Sequence, residues 1–550
     1  MTPSIGRQHD PLVTVLISTY NRPQYLAEAL VSVLAQTWAH FEVIVVRDGG
    51  APVREAIAEF LDDSRLIFID RDRNCGKPYS YNEALQRARG EYLCYLDDDD
   101  VFYPHHIETL VHAITQQDRC QAVYSDLYKT HCRVLPDGRR IVLAKNVEVS
   151  RDFDRMLMLQ FNHVFHVSLL HRRDLLDKTG PYNETINVLI DWDMTRRMSF
   201  YTDFLHVPVV TGEFYAPVGQ SDRISVQQRK NVNDYLRNLM TIRSTRPPKP
   251  WPCMRDLSVM VLGADGQAAA QTVRDLWAHT FYPQQYYVPL TPLERSAFSS
   301  GVPNVVVVPV DEGTSIQGRV DAALALCEGE FTGIVPCGIE MSPGESAFLE
   351  RSLNPLLTAS RQDTAYEWVE ATPQCWGAVL ATDTLRAARR SHPQLPVQAS
   401  LSAAGIEIRK PRFEQYPFQF DLLLRMARQQ EREGDWRSAV RVYDFAARQY
   451  GNTQWMQTLK ANALYHQSRF EEAAALAEAL NRTAPTVARL MIEARARRKS
   501  KAFSAAAHLY RRAEAILDGD ITERSTGCEE AAMDTSGPAR TAAPRLQESF

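Results

Sequence analysis

The chain has 550 residues, 45% of them hydrophobic and 23% charged, with a formal net charge of −5. That length predicts roughly three domains rather than one core, and the near-neutral balance excludes a whole-chain pull toward nucleic acid or anionic lipid. MTPSIGRQHDPL lacks the basic start and apolar core of a secretory leader, and no stretch approaches the roughly 18 apolar residues of a membrane helix, so a cytoplasmic protein is expected.

Strands and helices alternate over the first 100 residues. Val13–Ile17 is a short β-rich run, and Tyr25–Gln36 has helical spacing through Leu26, Leu30, Val33 and Leu34. Phe41–Val46 and Leu66–Ile69 are strands, Asn82–Arg89 is a helix, and Tyr92–Leu96 is a fourth strand. Continuous apolar strands between helices predict a parallel, doubly covered α/β sheet, with ligands bound beyond the carboxyl ends of its strands. The nine cysteines have no paired metal-ligand spacing and are read as reduced and structural.

Thr245-Arg246-Pro247-Pro248-Lys249-Pro250-Trp251-Pro252 marks a linker, because each proline fixes its own φ and moves the preceding residue out of helix. Beyond it, Leu257–Leu262 echoes the first strand. Asp321-Ala322-Ala323-Leu324 through Gly329-Glu330-Phe331 repeats Asn82-Glu83-Ala84-Leu85 through Gly90-Glu91-Tyr92 at a constant offset. The second α/β region, 257–410, therefore reads as a duplicate of the first, 11–245. The same offset puts Pro336-Cys337-Gly338-Ile339 where Asp97-Asp98-Asp99-Asp100 stand, so the copy is expected to be inactive.

Residues 420–518 are helix-rich. Trp436/Ala439, Phe470/Ala473 and Phe503/Ala506 recur with a period of roughly 34 residues, and Ala427, Ala461 and Ala494 keep step. This resembles tetratricopeptide repeats, an all-α array that binds protein partners on a concave face. A plain helical bundle is the alternative. The polar stretch 519–550 predicts a disordered tail.

Four consecutive carboxylates repel one another, so Asp97–Asp100 either bind a cation or sit in a fully solvated loop. They end a strand, where carboxylate oxygens can meet Mg²⁺ or Mn²⁺. Asp48 ends another strand and is either a helix cap or a ligand contact. Asn74-Cys75-Gly76 reads equally as a turn, and Asp191-Trp192-Asp193 opens a helix-like stretch where capping competes with catalysis.

Taken together, Thr19-Tyr20-Asn21-Arg22-Pro23, Asp48, Asn74-x-Gly76, Asn82-x-Ala84, Leu96-Asp97-Asp98-Asp99-Asp100 and Asp191-Trp192-Asp193 resemble the family 2 glycosyltransferases of the GT-A fold over roughly residues 11–235. The resemblance implies a GT-A nucleotide-sugar-binding catalytic domain, a degenerate GT-A-like domain and the helical repeats. It implies nucleotide-sugar binding at Thr19, Tyr20, Arg22, Asp48, Asn74, Gly76, Asn82, Asp97 and Asp98, and a Mn²⁺ or Mg²⁺ site on Asp99 with Asp97. Asp191 is implied as the general base of an inverting transfer, with Asp100, Trp192, Asp193 and His206 on the acceptor side, Trp192 as a sugar-stacking surface or a core residue. Two positions depart from the family pattern: Tyr81 stands where Arg is common and Ile190 where Glu is common, and Lys77 is the candidate for the missing positive charge.

The donor is expected to be UDP-linked. The acceptor is expected to be a glycan, a lipid-linked glycan or a protein, as in bacterial polysaccharide biosynthesis, with the enzyme cytoplasmic or peripheral at the inner face of the membrane and no nucleic-acid partner. His206 and the loop 219–225 are expected to close over the donor. Two other classes compete: a non-catalytic scaffold that recruits a protein through the repeats, and a nucleotidyltransferase, against which stands the absence of a G-G-x-G-T-R loop after the first strand.

Overall fold

The computed structural model describes residues 10–515 except 148–149, 160–161, 219–231, 280–281, 339–362, 373–374, 410–426, 429, 432–433, 451–453 and 484. The loop 219–225, Ile339 and the tail 519–550 therefore lie outside the described residues.

The N-terminal sheet takes β1 (Val13–Thr19), β2 (Phe41–Asp48), β3 (Leu66–Arg71), β4 (Tyr92–Asp97), β5 (Val101–Phe102), β6 (Cys120–Val134), β7 (Arg140–Val147), β8 (Leu169–Arg172) and β9 (Asp203–Pro217). Their order is β3-β2-β1-β4-β8-β6-β9-β5, with β7 paired to β6 alone. The first four strands are parallel, and β8 runs antiparallel to both β4 and β6. Helices α1 (Pro23–Leu34), α2 (Lys77–Arg87), α3 (His106–Thr115), α4 (Ile190–Met198) and α5 (Val232–Ser244) complete this half.

Nearly every residue of β1, β2 and β4 is buried, which is why their sequences read as unbroken apolar runs. Leu26, Ala29, Leu30 and Val33 of α1 close one face of the core. Both site-bearing helices begin earlier than periodicity alone indicates. Proline in the first turn, Pro23 for α1 and Pro78 for α2, needs no N–H partner there and starts the helix before its apolar stripe.

A second sheet is built from β10 (Leu257–Leu262), β11 (Gln284–Leu290), β12 (Val305–Pro309), β13 (Phe331–Pro336), β14 (Thr364–Thr372), β15 (Cys375–Ala381) and β16 (Glu407–Arg409). Helices α6 (Gly266–His279) and α7 (Ile316–Leu326) join its strands. Its order, β12-β11-β10-β13-β15-β14-β16, runs position for position with β3-β2-β1-β4-β8-β6-β9, and the strand directions agree. The likeness reaches single contacts. Gly90 N donates to Thr14 Oγ1 and Gly329 N donates to Ser258 Oγ, both at 2.9 Å. A Cβ on either glycine would lie 2.5 Å from the backbone nitrogen of Thr14 or Ser258, so only glycine fits at these two strand starts.

The proline-rich junction is pinned rather than slack. Trp251 is buried and donates to Pro247 O at 2.9 Å, Tyr201 Oη donates to Pro248 O, and Arg246 pairs with Asp256 at the start of the second sheet.

The C-terminal unit contains α8 (Trp436–Tyr450), α9 (Gln454–His466), α10 (Phe470–Thr483) and α11 (Val487–Lys499). Ala427, Ala439, Ala461, Ala473, Ala494 and Ala506 are all buried where these helices touch, whereas Phe503 is largely exposed. Among the described residues no helix is long and apolar enough to cross a membrane. Cys75, Cys94, Cys120, Cys132, Cys253, Cys327 and Cys337 are free thiols.

Candidate functional site

The site lies where the parallel strands end. Ser18 stands opposite Asp97 across β1 and β4, and Thr19 stands opposite Arg47 across β1 and β2. The loop after β1, the turn after β2 and the acidic run after β4 thus leave the sheet side by side, as expected at the switch point of an α/β sheet.

The four aspartates are held in three different ways. Asp97 accepts from Lys77 Nζ. Asp98 is buried and bridged to Arg22 at 3.2 Å, and Asp99 is bridged to the same guanidinium at 2.8 Å. Asp100 is buried and accepts from the Tyr215 backbone N–H at 2.9 Å. Arg140 donates to Asp99 O at 2.6 Å and ties the turn to β7. One oxygen each from Asp97, Asp99 and Asp100 lies within 4.8 Å of the others, and this hard-oxygen set fits Mg²⁺ or Mn²⁺. Burial, reinforced by the charge of Asp99, pushes the Asp98 carboxyl up to about 7. Asp98 and Asp100 are buried, so the run is not a fully solvated loop.

Asp48 is buried, with one oxygen accepting from Cys75 N and the other from Gly76 N, each at 2.8 Å, while Arg71 bridges it at 3.2 Å. It therefore clamps the 74–76 loop and caps no helix that follows it in sequence. Gly49 and Gly50 make the approach possible: both have positive φ, and a Cβ on Gly49 would lie 2.6 Å from Arg73 C and Asn74 N. Asn74 is exposed, and Gly76, at φ 97°, opens α2. Tyr20 is 47% exposed beside this loop, a free aromatic face. Thr19 is buried.

Across from the acidic run, Asp191 sits in the first turn of α4 and accepts from Asn162 Nδ2 at 2.9 Å. Burial raises its carboxyl and Asp97 adds to that, while the Trp192 N–H, Lys77 and Asn162 work the other way. Lys77 joins the two halves. Burial would lower its ammonium, but Asp97, Tyr81 and Asp191 outweigh that and hold it charged. It lies 5.5 Å above the ring of Tyr81. Tyr81 is packed on Tyr95, His166 and Tyr182 as an apolar floor, and burial drives the imidazole of His166 down to about 3, keeping it neutral.

Four of the expected site residues have other work. Trp192 is buried and donates to Met158 O at 2.7 Å, so it offers no face to a sugar and the core role holds. Asn82 donates to Tyr182 O at 2.9 Å and to Glu184 Oε1 at 2.8 Å, and accepts from Tyr182 N at 2.8 Å. It fastens the segment leading into α4. Asp193 is buried in an ion pair with Arg197 at 2.6 Å, which also donates to Thr179 O at 2.7 Å. Asp193→Asn leaves the Arg197 charge uncompensated and is expected to cost about 3 kcal/mol in denaturant unfolding.

His206 is fixed between Asp126 at 2.9 Å and Asp152 at 3.2 Å and stacks on Tyr124, an arrangement that holds β9 to β6. Burial lowers its pKa, but the two carboxylates outweigh that and raise it overall. The stability it contributes is therefore full below the unfolded value of about 6.5 and lost as pH rises through the higher folded value. The melting-temperature gap between the native chain and His206→Gln is expected to be widest near pH 6 and to close as pH rises.

Asn162, Arg140 and Arg71 were missed by sequence reasoning. None belongs to a local motif, and each reaches the site from an element distant in sequence.

Residues 14–177 match the family model described as glycosyl transferase family 2. An uncharacterized glycosyltransferase of Rickettsia typhi is 29% identical over 193 residues, covering 34% of this chain and 58% of its own length. Another, of Methanocaldococcus jannaschii, is 40% identical over 108 residues, covering 19% of this chain and 37% of its own. The chain thus spans less than two thirds of either relative. S. aureus TarS 1–349, solved in complex with UDP-GlcNAc, superposes over 42% of this chain and 65% of its own at 18% identity with a TM-score of 0.34, a level that carries nothing over to this protein.

Proposed function

We propose that the family 2 glycosyltransferase domain of this chain moves a sugar from a nucleotide diphosphate to an acceptor hydroxyl by a single inverting displacement. The observation that carries this reading is the Asp97–Asp99–Asp100 oxygen cluster at the strand ends, with Lys77 paired to Asp97 and its charge also favoured by Asp191.

Asp99 and Asp97 would hold Mn²⁺ or Mg²⁺, which when bound neutralises charge on the leaving diphosphate. Arg22 and Lys77 add two fixed cations on that side, and Lys77 takes the place of the arginine that Tyr81 replaces. Asp191 accepts the acceptor's proton, its carboxyl raised by burial toward the working range of a general base and aimed by Asn162. Asp48 Oδ1 is taken by the Cys75 N–H and Arg71, whereas Oδ2 accepts the Gly76 N–H and keeps a second lone pair for a base N–H, and Tyr20 supplies a stacking face. UDP is the donor base we favour. Asn74 and Gly76 border the diphosphate side.

We read the second sheet as a non-catalytic copy. Pro336 holds the register of Asp97, each being opposite the β1 or β10 strand end. Arg319 of α7 is buried across the equivalent crevice, donating to Gly263 O at 3.1 Å and Pro289 O at 2.9 Å and pairing with Glu294 at 2.7 Å. The C-terminal helices are proposed to bind a protein partner. Incubation with a panel of UDP- and GDP-sugars and Mn²⁺ tests the catalytic reading: donor turnover should appear for one of them with inverted product, and absence of binding by every donor would sink it.

A further inference from the structure

We infer that the β6–β7 hairpin is a docking surface for an anionic lipid face. Strand β7 pairs with β6 on one side and with no other described strand. Ile141, Val142 and Leu143 are 47%, 45% and 49% exposed, with Val134 opposite Arg140 near the tip and Val218, bonded to Cys132 O, alongside; both valines are exposed too. Arg133 and Arg139 are exposed beside these aliphatics, and Asp137, paired with Arg139, is the single carboxylate between 129 and 147; Arg140 and Lys145 are paired with Glu28 and Glu213 instead. The hairpin is rooted at the site already described: Arg140 donates to Asp99 O, Tyr25 Oη donates to Gly138 O at 2.8 Å, and Lys145 pairs with Glu213 at 2.6 Å.

Two other occupants fit less well. A second copy pairing β7 with β7 about a two-fold between Val142 and Leu143 would set Arg140 opposite Lys145, like charge against like. An acidic peptide adding a strand would cover the free backbone edge, yet Ile141, Val142 and Leu143 are consecutive and so point to both faces of the ribbon. A lipid interface takes up both faces together, and anionic headgroups meet the flanking cations. It would also bring the acidic run to the membrane plane, so that the acceptor is carried on lipid, a corollary that rests on the glycosyltransferase reading.

The test uses the full chain in co-sedimentation with vesicles of equal parts phosphatidylglycerol and phosphatidylcholine, and with vesicles of phosphatidylcholine alone. Binding should be about tenfold stronger to the anionic vesicles. Ile141→Asp/Leu143→Asp and Arg133→Gln/Arg139→Gln should each weaken it by about tenfold. The second pair changes only exposed side chains and keeps the test readable should the first misfold. Equal binding to both vesicles, no binding, or insensitivity to both variants overturns the proposal. So does a native dimer that Ile141→Asp/Leu143→Asp turns into monomer, or a soluble poly-glutamate peptide bound as tightly and with the same sensitivity. Donor hydrolysis without vesicles reads the catalytic proposal separately: if it is absent while vesicle binding follows the variants, the docking surface stands and the transferase reading falls.

Discussion

Asp99→Ala is expected to lower kcat/KM with the preferred nucleotide sugar by about a thousandfold, while the melting temperature stays close to that of the native chain. The magnitude follows from removing a ligand of an ion that neutralises charge on the departing diphosphate, a contribution of several kcal/mol. Stability should hold because Asp99 is the more accessible partner of Arg22, which keeps its bridge to Asp98 at 3.2 Å. Calorimetric titration with Mn²⁺ supplies an independent readout: the native chain should bind the ion, and the variant should bind it at least about tenfold more weakly. An unchanged Mn²⁺ affinity would remove Asp99 from the metal site whatever happened to turnover.

Asp191→Asn is expected to lower kcat by about a thousandfold and to leave donor affinity nearly unchanged, because general-base assistance acts on the acceptor's proton in the transition state and makes no contact with the nucleotide. The pH profile separates this from a structural role. The acidic limb of kcat for the native chain should lie above the ordinary carboxylate range, since burial raises the group, and that limb should vanish in the variant. Asn162→Ala should move the limb and reduce kcat by a smaller factor, because it removes the 2.9 Å hydrogen bond that aims the carboxylate but leaves the base in place.

The parallel first four strands are legible in the sequence because β1, β2 and β4 are almost wholly buried and their apolar runs are continuous, whereas the order of the sheet and β5 to β9 are not. The residues at their ends are legible because a strand end dictates what stands there: Asp48 and Asp97 follow immediately from it. What sequence reasoning does not reach are contacts made across great separations. Arg140 meets the acidic turn only because a hairpin folds back over it, and Asn162 meets Asp191 only after β8 has brought the chain round. Asn82 and Trp192 fail in the opposite way. Both sit inside motif-like segments, and both are consumed by packing, Asn82 by the backbone at Tyr182 and Trp192 by Met158 O. His206 is held by Asp126, 80 residues away, a partner no local pattern announces.

The buried guanidinium of Arg196 decides where the chain can be cut. It is fully enclosed on the same helix as Asp191 and donates to Thr245 O at 2.8 Å and Arg243 O at 2.9 Å, carbonyls that belong to the end of α5. Burial lowers its pKa to about 9, against the help of Asp193. An expression fragment that stops at residue 235 would strip both acceptors from an enclosed cation on the helix that carries Asp191, and one trimmed to the family match at residue 177 would lose that helix altogether. Minimal fragments should therefore run past Thr245, and ones that end between Met198 and Arg243 should be recovered unfolded or inert even though the acidic run and Asp191 are present.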